Sequence, residues 1–73
     1  MKLTIIKEDN QVGIDGLFFE IDLSSLPDNI RAVQWNGQTG HEELIDGENV
    51  KLKSITKYNN IIKKWNYQKN IIK

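Results

Sequence analysis

The chain has 73 residues, ten basic and ten acidic side chains, a formal net charge of zero and no cysteine. This length makes one small domain with about 3–5 kcal/mol of core stability, so a partner or a second copy is the natural source of further burial, and the absence of cysteine excludes a disulfide framework and a thiolate metal site. Neutrality hides a split: residues 1–50 hold all ten carboxylates against Lys2, Lys7 and Arg31, a net of −7, whereas residues 51–73 hold seven lysines and no acid, a net of +7.

Leu3-Thr4-Ile5-Ile6 is a β-branched run closed by the turn cluster Glu8-Asp9-Asn10, after which Val12 and Ile14 alternate with small residues up to Asp15-Gly16. Asp-Gly suits a two-residue hairpin turn because both central positions need positive φ. Leu17-Phe18-Phe19-Glu20-Ile21 resumes the period-two pattern with Leu17, Phe19 and Ile21 on one face, so the first third predicts a three-stranded meander. The segment from Asp22 to Asn29 breaks it, because Pro27 lacks an amide donor and its Ser and Asp side chains compete with ladder hydrogen bonds.

Arg31-Ala32-Val33-Gln34-Trp35 alternates again, Asn36-Gly37 is a strong hairpin signal, and Thr39 through Ile45 supplies the returning strand before Asp46-Gly47 turns the chain. From about Ser54 the period changes. Tyr58, Ile61, Ile62, Trp65 and Ile72 share a narrow arc at helical spacing, with Ser54 or Thr56 available to cap the first turn. The expected fold is α+β: a small, hairpin-rich antiparallel sheet of about five strands with one C-terminal amphipathic helix. Residues 1–73 form a single domain, its β-rich acidic part over 1–50 and its basic helical part over 51–73. The helical stripe should lie on the sheet face that bears Leu17, Phe19, Val33 or Trp35.

Chemistry is sparsely supplied. A nucleophile, base and orienting group would have to be assembled around His41, the one histidine, with Glu42, Glu43, Asp46 or Glu48. Alternation puts His41 and Glu43 on one strand face, which is equally the pattern of a solvated strand. The expectation is a non-enzyme with no catalytic residues, no cofactor and no metal: the carboxylates lack the spacing of a zinc or calcium site and read as surface acids, and the glycines are not gathered before a helix to cradle phosphate. The longest apolar runs are too short for a membrane span, and Met1-Lys2-Leu3-Thr4 is followed by charge rather than by a signal-peptide core, so no membrane partner is expected.

The candidate interaction surface is Tyr67 and Ile71 with Lys57, Lys63 and Lys64. On the helical projection Lys57 and Lys64 lie together on one flank of the apolar stripe and Lys63 on the other. Tyr67 and Ile71 project opposite the stripe if the helix runs past Asn66; either it ends there and the tail folds back, or these side chains meet a second chain. Trp35 reads as core, with a stacking platform for a ligand, Arg31 on the same strand face, as the alternative. Lysine richness is a weak argument for nucleic acid here, because eleven isoleucines, nine lysines and eight asparagines are also what A/T-rich codons encode.

With these hairpins in view, nearly the whole chain resembles a small, mostly uncharacterised family of tailed-phage proteins. The resemblance rests on Val12-Gly13-Ile14-Asp15-Gly16, Asp22-Leu23-Ser24, Ala32-Val33-Gln34-Trp35-Asn36-Gly37, Gly40-His41-Glu42-Glu43 and Trp65, with the Val-Gln-Trp-Asn-Gly run its most specific mark. The end after Ile55 departs from the family pattern, whose tails are richer in Ala and acid. The resemblance implies an origin among tail-fibre or other structural genes and carries no catalytic role for any residue. The leading expectation is a non-enzymatic phage interaction protein, a virion or tail accessory that docks on another protein. It would be found in the host cytoplasm or in the particle. The alternatives are a host-takeover or anti-defence protein that binds a host protein or sequesters a nucleotide, as an oligomer if so, and a small nucleic-acid-binding module.

Overall fold

The computed structural model describes residues 1–71. Six strands, β1 (Leu3–Ile6), β2 (Gln11–Ile14), β3 (Leu17–Glu20), β4 (Ile30–Trp35), β5 (Gly40–Leu44) and β6 (Val50–Leu52), precede a 3₁₀ turn (Thr56–Tyr58) and one helix, α1 (Asn59–Ile71). All neighbours pair antiparallel in the order β3-β2-β1-β4-β5-β6. The expected α+β architecture is the one observed, with one strand more than anticipated. The additional strand, Val50–Leu52, straddles the boundary at residue 50 and carries Lys51 and Leu52 into the sheet. Three residues are too few to show alternation, and only pairing with Gly40–Glu42 makes them a strand.

The hairpin signals act in two ways. Asp15 and Gly16 both adopt positive φ, 51° and 88°, as a two-residue turn of this kind requires. At the second hairpin only Gly37 does. There the loop spans four residues, because the Asn36 side-chain oxygen accepts the amides of both Gln38 and Thr39 and builds an Asx-type turn instead.

Register sorts the side chains to two faces. Leu3, Ile5, Val12, Ile14 and Val33 point toward the helix and form the core with Leu52, Tyr58, Ile61 and Trp65, while Phe19, Trp35 and Ile62 pack at its margin. The helical stripe therefore lies where its spacing predicts; Ile72 and Lys73 fall outside the described residues. The capping expectation is corrected. Ile55 occupies the N-cap position of the 3₁₀ turn with no side-chain hydrogen bond, so neither Ser54 nor Thr56 caps it. The turn is anchored instead by the burial of Tyr58. The loop after β3 also does more than connect: Leu23 and Leu26 are buried in the core. Its backbone is held by the Leu23 amide donating to Asn10 Oδ1 and the Ser24 amide donating to Asp22 Oδ1.

Gly40 sits where β5 meets the end of β4, and a Cβ there would run into the Gln34 carbonyl and Trp35 Cα. Backbone cannot swing aside as a side chain can. Gly40→Ala should therefore cost about 1–3 kcal/mol, the range of overpacking, measured as a lower urea midpoint with an unchanged m-value.

Candidate functional site

Glu42 is the first unusual feature. Its place in β5 turns it toward the helix beside Val33 and Val50, and it is only 5% exposed. A buried carboxylate needs partners. The Tyr58 hydroxyl donates to Glu42 Oε2, and Lys57 Nζ lies 2.6 Å from the same oxygen. Burial pushes the Glu42 carboxyl up, but the hydrogen bonds from Lys57 and Tyr58 outweigh it and hold it below its ordinary value. Burial, then the adjacent carboxylate, pushes the Tyr58 phenol well up. This cluster ties the start of the helical segment to the sheet. By composition Glu42 counts among the surface acids; its alternation with His41 and Glu43 puts it on the other strand face, and the register sets that face under the apolar stripe.

The opposite sheet face has no helix on it. There His41 Nε2 lies 3.1 Å from Glu43 Oε2, and Arg31 Nη2 donates to Glu43 Oε1 at 3.2 Å. The hydrogen bond from His41, followed by that from Arg31, holds the Glu43 carboxyl low. Both oxygens of Glu43 thus have partners, one an ion pair with Arg31 and the other a contact with the His41 ring. Among the described residues no group of three His, Asp or Glu side chains is placed to hold a metal ion.

The pairing of Arg31 with Trp35 is a correction. A register shift between Ile30 and Ala32 inserts Arg31 as the extra residue of a bulge, which breaks the alternation that would set it under the helix. Arg31 joins Glu43, whereas Trp35 pairs with Leu3 and packs on the core. A guanidinium on the apolar face would have cost its hydration. No stacking platform flanked by Arg31 exists.

The lysines are likewise separated. α1 begins near β5, where Tyr58 meets Glu42, and crosses toward β3, where Trp65 Nε1 donates to the Leu17 carbonyl. Lys57 thus serves Glu42, while Lys64 Nζ approaches the Asp22 carbonyl oxygen at 3.4 Å near the other end. These contacts answer the charge split in part, because the basic helical segment faces groups of its own sheet and loop.

The helix continues through Ile71, which overturns a chain reversal near Asn66. Tyr67 is 68% and Ile71 57% exposed, and Tyr67 borders a shallow depression with Glu20, Ile21, Asp22, Lys63 and Lys64. β3 is an outermost strand of the sheet; Leu17, 45% exposed, lies on the helix side opposite Ile14, whereas Phe18, 44% exposed, covers Gly13 on the helix-free face. Leu17 of β3 with Tyr67 and Ile71 of α1 thereby forms an exposed apolar ledge, with Lys63 and Lys64 beside Tyr67. Sequence periodicity located Tyr67 and Ile71 but missed the exposure of Leu17, which follows only from strand order.

The fold and these surfaces define a small six-stranded antiparallel sheet backed on one face by a single helix. Among the described residues no helix is long and apolar enough to cross a membrane. No protein-family model, no curated protein and no solved structure matches the chain.

Proposed function

We propose that the chain is a non-enzymatic interaction protein, an accessory of a tailed-phage virion or tail that docks on a structural protein through the ledge of β3 and α1. The observation that carries this reading is the exposure of Leu17, Tyr67 and Ile71 along the edge where α1 crosses β3. Small domains rarely leave so many large apolar groups together without a use for them. The edges differ in the same sense. β6 is three residues long with Lys51 at its centre and Lys53 beyond it, devices that discourage strand addition, whereas the β3 run Leu-Phe-Phe-Glu has no lysine or proline. Lys63, Lys64 and Lys69 suit a partner surface that is apolar and rimmed by carboxylates. The phage setting is supported by the Val-Gln-Trp-Asn-Gly resemblance.

Mass spectrometry of purified particles of the encoding phage should find the chain at a fixed stoichiometry. Tyr67→Asp combined with Ile71→Asp should abolish its incorporation while changing stability by no more than about 0.5 kcal/mol per site, the usual limit for exposed positions. Absence from particles, together with early expression, would sink the reading. So would a concentration-dependent dimer that the same substitutions dissolve, since the ledge would then be a self-contact.

A further inference from the structure

The helix-free face carries a second feature, independent of the ledge. Thr4, Gln34, His41 and Lys51 form one cross-strand row over β1, β4, β5 and β6, each directly opposite the next in the register. The Thr4 hydroxyl donates to Gln34 Oε1 at 3.2 Å, consistent with side chains that share a face. Toward the strand ends, Lys2 precedes β1 and Lys53 follows β6. These six residues help line a concavity of about 790 Å³, which falls within the roughly 300–1,000 Å³ of small-molecule sites. Three lysines line it and no carboxylate does. In a chain with as many acids as bases, that segregation is a local field of one sign.

Two carboxylates beside the lining have partners of their own. Asp15 accepts the Lys2 backbone amide at 2.8 Å, and Glu43 is held between His41 and Arg31. No ion pair between a carboxylate and Lys2, Lys51 or Lys53 occurs among the described residues. These ammonium groups come from three separate places, the start of β1, the middle of β6 and the residue after it, and converge only through the sheet. Gly40 leaves bare backbone in the lining. The amides of Gln34, Asn36 and Asn49 add groups that hydrogen-bond the uncharged part of a ligand.

We propose that this concavity binds a small phosphorylated ligand of nucleotide size, with Lys2, Lys51 and Lys53 neutralising its phosphoryl groups and Gln34 and His41 hydrogen-bonding the remainder. Ammonium groups act on phosphate as point charges and need no bidentate geometry, so lysines suffice. Binding at this face leaves the ledge of β3 and α1 free, and the two activities are separable.

The test is isothermal titration and amide chemical-shift mapping of the full chain with ATP, pyrophosphate and adenosine. ATP and pyrophosphate should bind, with shifts confined to β1, β4, β5 and β6 near the concavity, and adenosine should bind at least tenfold more weakly than ATP. The double variant K51E/K53E should lose at least tenfold in affinity for both phosphates. K63E/K64E, which alters equal charge on the helix, should lose less than twofold. No binding of either phosphate at millimolar concentration overturns the proposal, and so does an equal loss in the two double variants, which would mark diffuse attraction to lysine. Tighter binding of a twelve-nucleotide thymidine strand, with shifts running beyond the concavity onto other elements, also overturns it in favour of a nucleic-acid surface.

Discussion

Replacing Trp65 by alanine should leave the chain largely unfolded at room temperature. The indole is 4% exposed, lies 5.5 Å from the Phe19 ring centroid, and donates from Nε1 to the Leu17 carbonyl at 3.0 Å. Lys69 Nζ, 5.4 Å from the ring centroid, adds a cation–π contact on this partly wet side. Trp65 is therefore the fastening between α1 and the β3 side of the sheet. Truncating a buried tryptophan costs about 3–5 kcal/mol, and a core of this size supplies about the same. Far-ultraviolet circular dichroism and a urea titration should show loss of most of the folding transition. Trp65→Phe keeps most of the packing and loses the hydrogen bond, and should cost only about 1–2 kcal/mol. A near-native urea midpoint for Trp65→Ala would show that α1 is held mainly at its other end, by Tyr58.

Glu42→Ala should cost about 2–3 kcal/mol, because it strands the buried Tyr58 hydroxyl and removes the partner of Lys57. The converse change should be mild. Replacing the pair together, as Glu42→Leu with Tyr58→Phe, removes donor and acceptor at once and should fall within about 1 kcal/mol of the native chain. A loss in the double variant well below the sum of the Glu42→Leu and Tyr58→Phe losses checks the assignment; additive losses would mean that the two groups act separately.

The same carboxyl sets a pH dependence. Its folded value lies below the ordinary one, so its contribution is fully present above about pH 4.3, the unfolded glutamate value, and is lost as pH falls through the lower folded value. Glu43 is shifted in the same direction by His41 and Arg31. Subtracting the profile of Glu42→Gln from that of the native chain therefore isolates Glu42. The difference should be flat from about pH 5 to 7 and shrink on acidification below the ordinary glutamate value, read by urea midpoints.

Much of the fold was legible because the signals are local. A two-residue turn at Asp15-Gly16 depends on two backbone dihedrals, and the face formed by Tyr58, Ile61 and Trp65 depends on one helical period. Both are properties of a few adjacent residues. The candidate site was legible in a narrower sense. Tyr67 and Ile71 could be assigned to the far side of a helix, but that the helix passes Asn66 and runs through Ile71 is visible only in the structure. The pairing of Arg31 with Trp35 misled, since alternation holds only while a strand is regular and one inserted residue reverses it.

By itself, then, the sequence determined the meander, the second hairpin, the amphipathic helix and the sorting of acids and lysines to opposite halves, because each is encoded in neighbouring residues or in plain counts. Only the tertiary structure decided which charges meet. Strand order and register turn Glu42 inward to Lys57 and Tyr58, send Arg31 outward to Glu43, and bring Lys2 to Lys51 and Lys53 across four strands. Those pairings are set by which strand lies beside which, and that choice minimises exposed apolar area over the whole chain rather than over any one segment.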